Sequence, residues 1–271
     1  MHHPAPTRDP GALTDARLQL HWACQPLAAA ADTVYGLRDD DSQSNFDFDP
    51  GWAALLTHPL DSGWTLGLRV TQPALLALHH GEVRDSLPLE GQTLPQLLHW
   101  VNHQPALGEE SEPAELRGYD LPHHAVRDGG EFDTGDHEAF TALAWWLTTG
   151  FDAVDRATRD HHATHPRLWP HHFDVGAIIP LADDRDPRSK PSVGLGMSLG
   201  DATYDRPYFY VNPYPLADPP PAADRPDPPD PMHWADAWFG IILLSEPGQT
   251  REGVTRTLTE AVDRAAGVAE A

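Results

Sequence analysis

Two imidazoles and a carboxylate fall within four residues of the stretch Leu168-Trp169-Pro170-His171-His172-Phe173-Asp174. If this stretch opens a strand, period-two alternation sends His172 and Asp174 to one face and His171 and Phe173 to the other. A histidine and an acid that project together can share a proton or ligate a metal, and Asp201, in the turn after Ser198 to Gly200, adds a further oxygen. One chemistry follows in which His172, Asp174 and Asp201 hold a divalent metal. His171 and His172 are then the catalytic pair of a metal-assisted hydrolysis, with His171 as base. The alternative is architectural: both side chains bond main-chain groups at a sheet edge.

Gly196-Met197-Ser198-Leu199-Gly200 has the G-x-S-x-G spelling of a hydrolase nucleophile elbow. That elbow needs a helix directly after the serine. Here Asp201 to Pro207 leads into another strand-like run, so the match is expected to be accidental. Gly194-x-Gly196 has its next glycine one position too late for a dinucleotide fingerprint. Tyr204, Tyr208, Phe209, Tyr210, Tyr214, Trp234 and Trp238 concentrate rings in a chain that is only 8% aromatic. On a strand, Tyr208, Tyr210 and Asn212 face one way and Phe209 and Val211 the other. The hydroxyl-bearing face either binds a small polar ligand or forms a tyrosine ladder that stabilises the sheet. His161 and His165 share a helix face at i, i+4, but the glutamate of a zinc-protease motif is missing, and Pro166 ends the helix there. They are expected to complement the negative end of the helix dipole.

Three ordered motifs carry a resemblance. The strings Leu168 to Asp174, Val193-Gly194-Leu195-Gly196-Met197-Ser198-Leu199-Gly200-Asp201 and Pro207-Tyr208-Phe209-Tyr210-Val211 resemble an uncharacterised bacterial family, a domain of unknown function. Its members carry W-P-E-H-F-D, G-x-S-P-G-D and P-Y-x-Y-V. The resemblance covers about Arg167 to Pro215 and implies a location without a reaction: His172, Asp174, Ser198, Gly200, Asp201 and Tyr208. Together with Trp169 and Tyr210 these residues make up the expected ligand site. His171 stands where the family has glutamate and Leu199 where it has proline. An essential acid or base at the first of these positions would therefore be lost, or exchanged for a group titrating near neutrality.

These residues must be positioned by elements the sequence also predicts. Thr14 caps a helix through Leu18, Trp22 and Cys24 that Pro26 kinks or restarts. An acidic loop, Asp39 to Pro50, precedes strands at Trp52 to His58, Trp64 to Val70 and Ala74 to His79. His80-Gly81 turns the last of these into Val83 to Leu87. Thr93 opens a helix ended by Pro105, and the aperiodic segment from there to Gly135 is expected to be a lid or a mobile loop. Asp136 caps a helix to about Asp160. Strands follow at His172 to Leu181, Val193 to Leu199, Tyr208 to Tyr214 and Ala237 to Leu244. Thr250 begins a terminal helix that frays after Gly267. Strands in runs predict an α+β fold, with antiparallel sheet and helices packed on one face. The domain reading is a flexible N-terminus at 1–13 and a single domain at 14–268. That domain is either one body or two similar halves, 14–135 and 136–268, with a proline-rich surface excursion at 216–231.

Composition narrows the partners. Eighteen Lys and Arg against 41 Asp and Glu leave a net charge of −23, which repels nucleic acid and anionic membranes. Adding the 17 positive charges of fully protonated histidines to −23 leaves −6, so charge should change steeply between about pH 5 and 8. Lys190 is the one lysine and Cys24 the one cysteine, so Schiff-base chemistry, an internal disulfide and a cysteine-rich zinc site are not expected. No apolar run approaches a membrane span, and a cytoplasmic location is expected. The reading that best joins these features is a binding or accessory protein with a polar pocket beside the sheet, for a small polar ligand. The alternatives are the metal-assisted hydrolase and a protein-protein interaction module built on the proline spacer.

Overall fold

The computed structural model describes residues 6, 10–60, 63–108, 111–182, 186, 189–215, 220–221, 224–235, 238–246 and 248–270. The fold is α+β, with a five-stranded and a six-stranded antiparallel sheet. The chain divides into two compact units. One comprises Arg8–Trp145 with Leu168–Phe173, and the other comprises Met1–Thr7, Trp146–Arg167 and Asp174–Ala271. These bounds differ from two contiguous halves, because a six-residue segment of the second half of the sequence belongs to the first unit. Most of the N-terminal segment expected to be flexible lies outside the described residues.

In the first unit, α1 (Pro10–Ala23) begins four residues before Thr14, with Pro10 in the first turn, where its missing N–H costs nothing. Pro26 restarts the chain as α2 (Gln25–Tyr35), whose alanine run is buried. The first sheet runs β1 (Asp47–Asp49), β2 (Ala54–Leu56), β3 (Trp64–Arg69), β4 (Ala74–His79) and β5 (Glu82–Pro88), in sequence order. β1 falls where an acidic loop was expected. β2 is shorter than the apolar pattern suggested, because Asp49 Oδ1 accepts the Gly51 and Trp52 amides and Ala53 takes a left-handed φ of 47°. The hairpin at His80-Gly81 is as predicted, with both residues at positive φ, the geometry of a two-residue turn between twisted strands. β4 is buried along all but its last residue, while β5 is a charged, exposed edge.

Helix α3 (Leu94–Asn102) starts after Thr93, whose amide donates to Gln96 Oε1 at 2.7 Å. The segment that follows it is pinned to its own unit. Asn102 exchanges two hydrogen bonds with the Ala114 backbone, Trp22 Nε1 donates to the Pro122 carbonyl, and Gln19 both donates to and accepts from the Asp133 backbone. Ala114, Leu121, Val126 and Phe132 are buried, so the described residues of this segment are anchored by burial and hydrogen bonds where a lid or a mobile loop was expected.

Helix α4 (His137–Thr158) is capped by Asp136 as predicted, and the division between the units falls inside it. The second sheet is ordered β10 (His233–Trp234), β11 (Ile241–Leu244), β9 (Tyr208–Tyr214), β8 (Ser192–Ser198), β7 (Asp174–Pro180) and β6 (Arg167–Trp169). Phe209 and Val211 are fully buried, Phe209 against Trp146 of α4. Helix α5 (Arg251–Glu270) packs along β8 and β9 and runs three residues past Gly267, where fraying was expected. The described part of the proline-rich excursion is tied down: Trp234 Nε1 donates to the Pro226 carbonyl and Arg264 of α5 to the Asp227 carbonyl. Among the described residues no helix is long and apolar enough to cross a membrane.

Candidate functional site

Strand register assembles the polar face of the second unit. Asp174 of β7 pairs with Ser198 of β8, and Ser198 with Tyr208 of β9, so three of the predicted residues form one row across three strands. Pleating gives these residues a common face with Tyr210. Tyr210 is directly opposite Gly196, and a β-carbon added to Gly196 would come within 2.3 Å of the Tyr210 hydroxyl and 2.1 Å of the Val175 carbonyl. The missing side chain therefore lets the phenol lie across β8 and donate to Asp174 Oδ2 at 2.5 Å. Gly194 makes similar room for the ring of Tyr214. The Gly194-x-Gly196 spacing is thus clearance for tyrosines.

Asp201 is held from three sides. Its Oδ1 accepts the amides of Thr203 and Tyr204 at 2.7 and 2.8 Å, and its Oδ2 accepts the Tyr208 hydroxyl at 2.5 Å. Gly200, at φ 114°, turns the chain so that this can happen, and Ser198 Oγ accepts the Gly200 amide at 3.1 Å. No helix follows Ser198, in keeping with an accidental G-x-S-x-G spelling. Burial, then hydrogen bonding and the charge of Asp201, pushes the Tyr208 phenol well above its usual range; burial and Asp174 do the same for Tyr210. Both phenols therefore stay protonated and act as donors. Around them, Tyr204 meets Tyr208 at 4.9 Å between ring centroids, Tyr208 meets Tyr210 at 6.4 Å, and Trp238 meets Tyr210 edge-on at 6.2 Å. Tyr204, Tyr210 and Trp238 are half-buried, and Tyr204 reaches His233 Nε2 at 3.4 Å.

Trp169, His171 and His172 belong to the first unit. The chain does not enter a strand at His172 as expected. Pro170 opens a turn in which the Trp169 carbonyl accepts the amides of His172 and Phe173, and Phe173 takes a left-handed φ of 56°. Strand alternation starts only at Asp174, so the predicted pairing of His172 with Asp174 on one strand face does not arise. The turn is fastened from beneath: the Pro170 carbonyl accepts from His21 Nε2 at 2.8 Å and from Gln25 Nε2 at 2.9 Å, and Phe173 stacks on the His21 ring at 5.1 Å. Burial pushes His21 down to about 4, so it is neutral near pH 7.

Above the turn, aromatic groups continue toward an acidic patch. His171 lies 4.4 Å from His172 and 5.7 Å from Tyr119, centroid to centroid, and the Arg117 guanidinium sits 4.6 Å over the Tyr119 ring. Arg117 pairs with Asp41 and lies 3.8 Å from Asp32, which also accepts from Gln43 at 2.6 Å. Burial, followed by the charge of His172, holds His171 below the usual histidine range; burial pushes Tyr119 up to about 12. Arg117, Asp41 and Tyr119 had no signal in the sequence, since they sit in aperiodic stretches and meet only through tertiary packing. Among the described residues no three His, Cys, Asp or Glu side chains converge as metal ligands, so the predicted set of His172, Asp174 and Asp201 is not found as such a group. No family model, curated protein or solved structure matches the chain.

Proposed function

We propose that the protein is a binding or accessory protein that takes a small polar ligand on the tyrosine-bearing face of its second sheet. One observation carries the reading. Asp174, Ser198 and Tyr208 share one face, Asp201 joins it through the Tyr208 hydroxyl, and the partly buried rings of Tyr204, Tyr210 and Trp238 pack beside them. A few oriented polar groups set among aromatic surfaces are the composition of a small-molecule site. Binding is favoured over catalysis because the phenols donate to carboxylates, Asp201 also accepts two amides, and Ser198 accepts a third. The resemblance to the family with W-P-E-H-F-D, G-x-S-P-G-D and P-Y-x-Y-V motifs supports this reading, since Asp174, Ser198, Asp201 and Tyr208 stand at motif positions.

A ligand-observed magnetic resonance screen of the full chain against a mixture of sugars, amino acids, amines and organic acids tests this. At least one component is expected to bind. Asp174→Asn, which keeps the acceptor for Tyr210, and Trp238→Leu should each weaken it about tenfold, the effect of losing one charge-assisted or aromatic contact. A screen with no bound component, or binding indifferent to both folded variants, overturns the reading.

A further inference from the structure

Twice among the described residues an aromatic cluster is supplied with a cation from within. Arg117 covers Tyr119 beside Asp41 and Asp32, and Arg225 covers both Trp234 and Phe239, at 5.4 and 5.0 Å. The rings of Tyr208, Tyr210 and Trp238 differ. Among the described residues no Arg or Lys lies over any of the three, although Asp201 and Asp174 stand beside them. Ring faces carry negative potential, and carboxylates next to them deepen it, so a positive group is the partner of greatest complementarity. Neutral sugars also stack on such rings, but they draw little from Asp201, whose two oxygens already accept from Tyr208 and from the Thr203 and Tyr204 amides. A diffuse cation needs no hydrogen bond from it. A net charge of −23 concentrates cations around the whole molecule.

We infer that the ligand of this face is a small organic cation of the alkylammonium class, held against Tyr210 and Trp238 with Asp201 and Asp174 as its counter-charges. This rests on the reading of the face as a binding site. Quaternary or methylated ammonium fits better than a primary amine, because the rings offer faces and Asp201, with both oxygens already accepting, offers charge in place of a hydrogen bond.

Choline and its uncharged isostere 3,3-dimethyl-1-butanol are the probes, titrated into the full chain by calorimetry with tryptophan emission followed in parallel. Choline should bind saturably, more weakly as salt rises, and at least tenfold tighter than the isostere. Trp238→Leu should cost about tenfold, and Trp238→Phe should recover most of it. Asp201→Asn, which keeps an acceptor for its turn, should weaken choline without changing the isostere. Equal binding of the two probes, no saturable choline binding, or choline binding unchanged in Trp238→Leu overturns the inference. If choline fails while a neutral molecule binds in a Trp238-dependent way, the cation is wrong and the binding face stands. If no polar molecule binds, both fall.

Discussion

His21 joins stability to pH more directly than any other single residue here. Its Nε2–H donates to the Pro170 carbonyl, its ring stacks on Phe173, and it is 2% exposed, so burial holds its folded value near 4 against 6.5 for the free side chain. A histidine depressed in the folded state stabilises above its unfolded value and loses that stability as pH falls toward its folded value. Stability should be level down to about pH 6.5 and then drop by roughly 1.4 kcal/mol per unit, reaching about 3 kcal/mol near pH 4. His171, also lowered by burial, acts in the same direction. Urea midpoints between pH 6.5 and 5, above the range of most carboxylates, measure the slope. His21→Gln keeps a donor for Pro170 and should flatten it; an unchanged slope in that variant removes His21 as the cause. None of this was visible in the sequence, where His21 is one polar residue in an amphipathic helix and nothing marks Pro170, nearly 150 positions away, as its partner.

Among the elements, the β7–β8–β9 ladder is the one the candidate face depends on, and Gly196 is its point of least tolerance. A methyl group there meets the Val175 carbonyl at 2.1 Å, which is backbone and cannot move without opening the β7–β8 pairing. Gly196→Ala should therefore cost about 3 kcal/mol, the upper end for overpacking a close-packed site, and lower the melting temperature by several degrees. Adding Tyr210→Phe should not restore it, since the backbone clash persists. Wild-type melting for Gly196→Ala would refute the close approach of the Val175 carbonyl to Gly196. Much of this ladder was legible: alternation from Tyr208 to Tyr214 correctly separated hydroxyls from the buried Phe209 and Val211. His80-Gly81 and Thr93 likewise announced a hairpin and a helix start through local backbone chemistry. The start of β7 was not legible. A left-handed Phe173 after Pro170 is stabilised by the distant His21, and no local preference of a phenylalanine foretells it. The glycines of β8 fall short of a dinucleotide fingerprint in the sequence, and only the tyrosines of β9 explain their spacing.

At the scale of the whole molecule, chain order and compact units do not coincide. The first unit takes Leu168–Phe173 from deep in the second half of the sequence, and this short return is structural for it. Phe46 and Leu168 exchange two backbone hydrogen bonds at 2.8 and 2.9 Å, and the Pro170 carbonyl is the acceptor for the buried His21 and Gln25 donors. Removing the segment would leave the buried His21 donor unsatisfied, at about 1–3 kcal/mol, take an acceptor from Gln25, strip the stacking partner from His21 and break the two Phe46–Leu168 bonds. Against a total stability of order 5–15 kcal/mol, that loss is decisive for an isolated unit. A fragment of residues 8–145 should therefore show no cooperative thermal transition by circular dichroism, where the full chain does. The same fragment with residues 168–173 appended through a flexible linker should regain one, because the linker restores the acceptor and the ring at high effective concentration. Cooperative melting of 8–145 alone, at the temperature of the full chain, would mean that the turn is merely carried by the first unit and does not complete it.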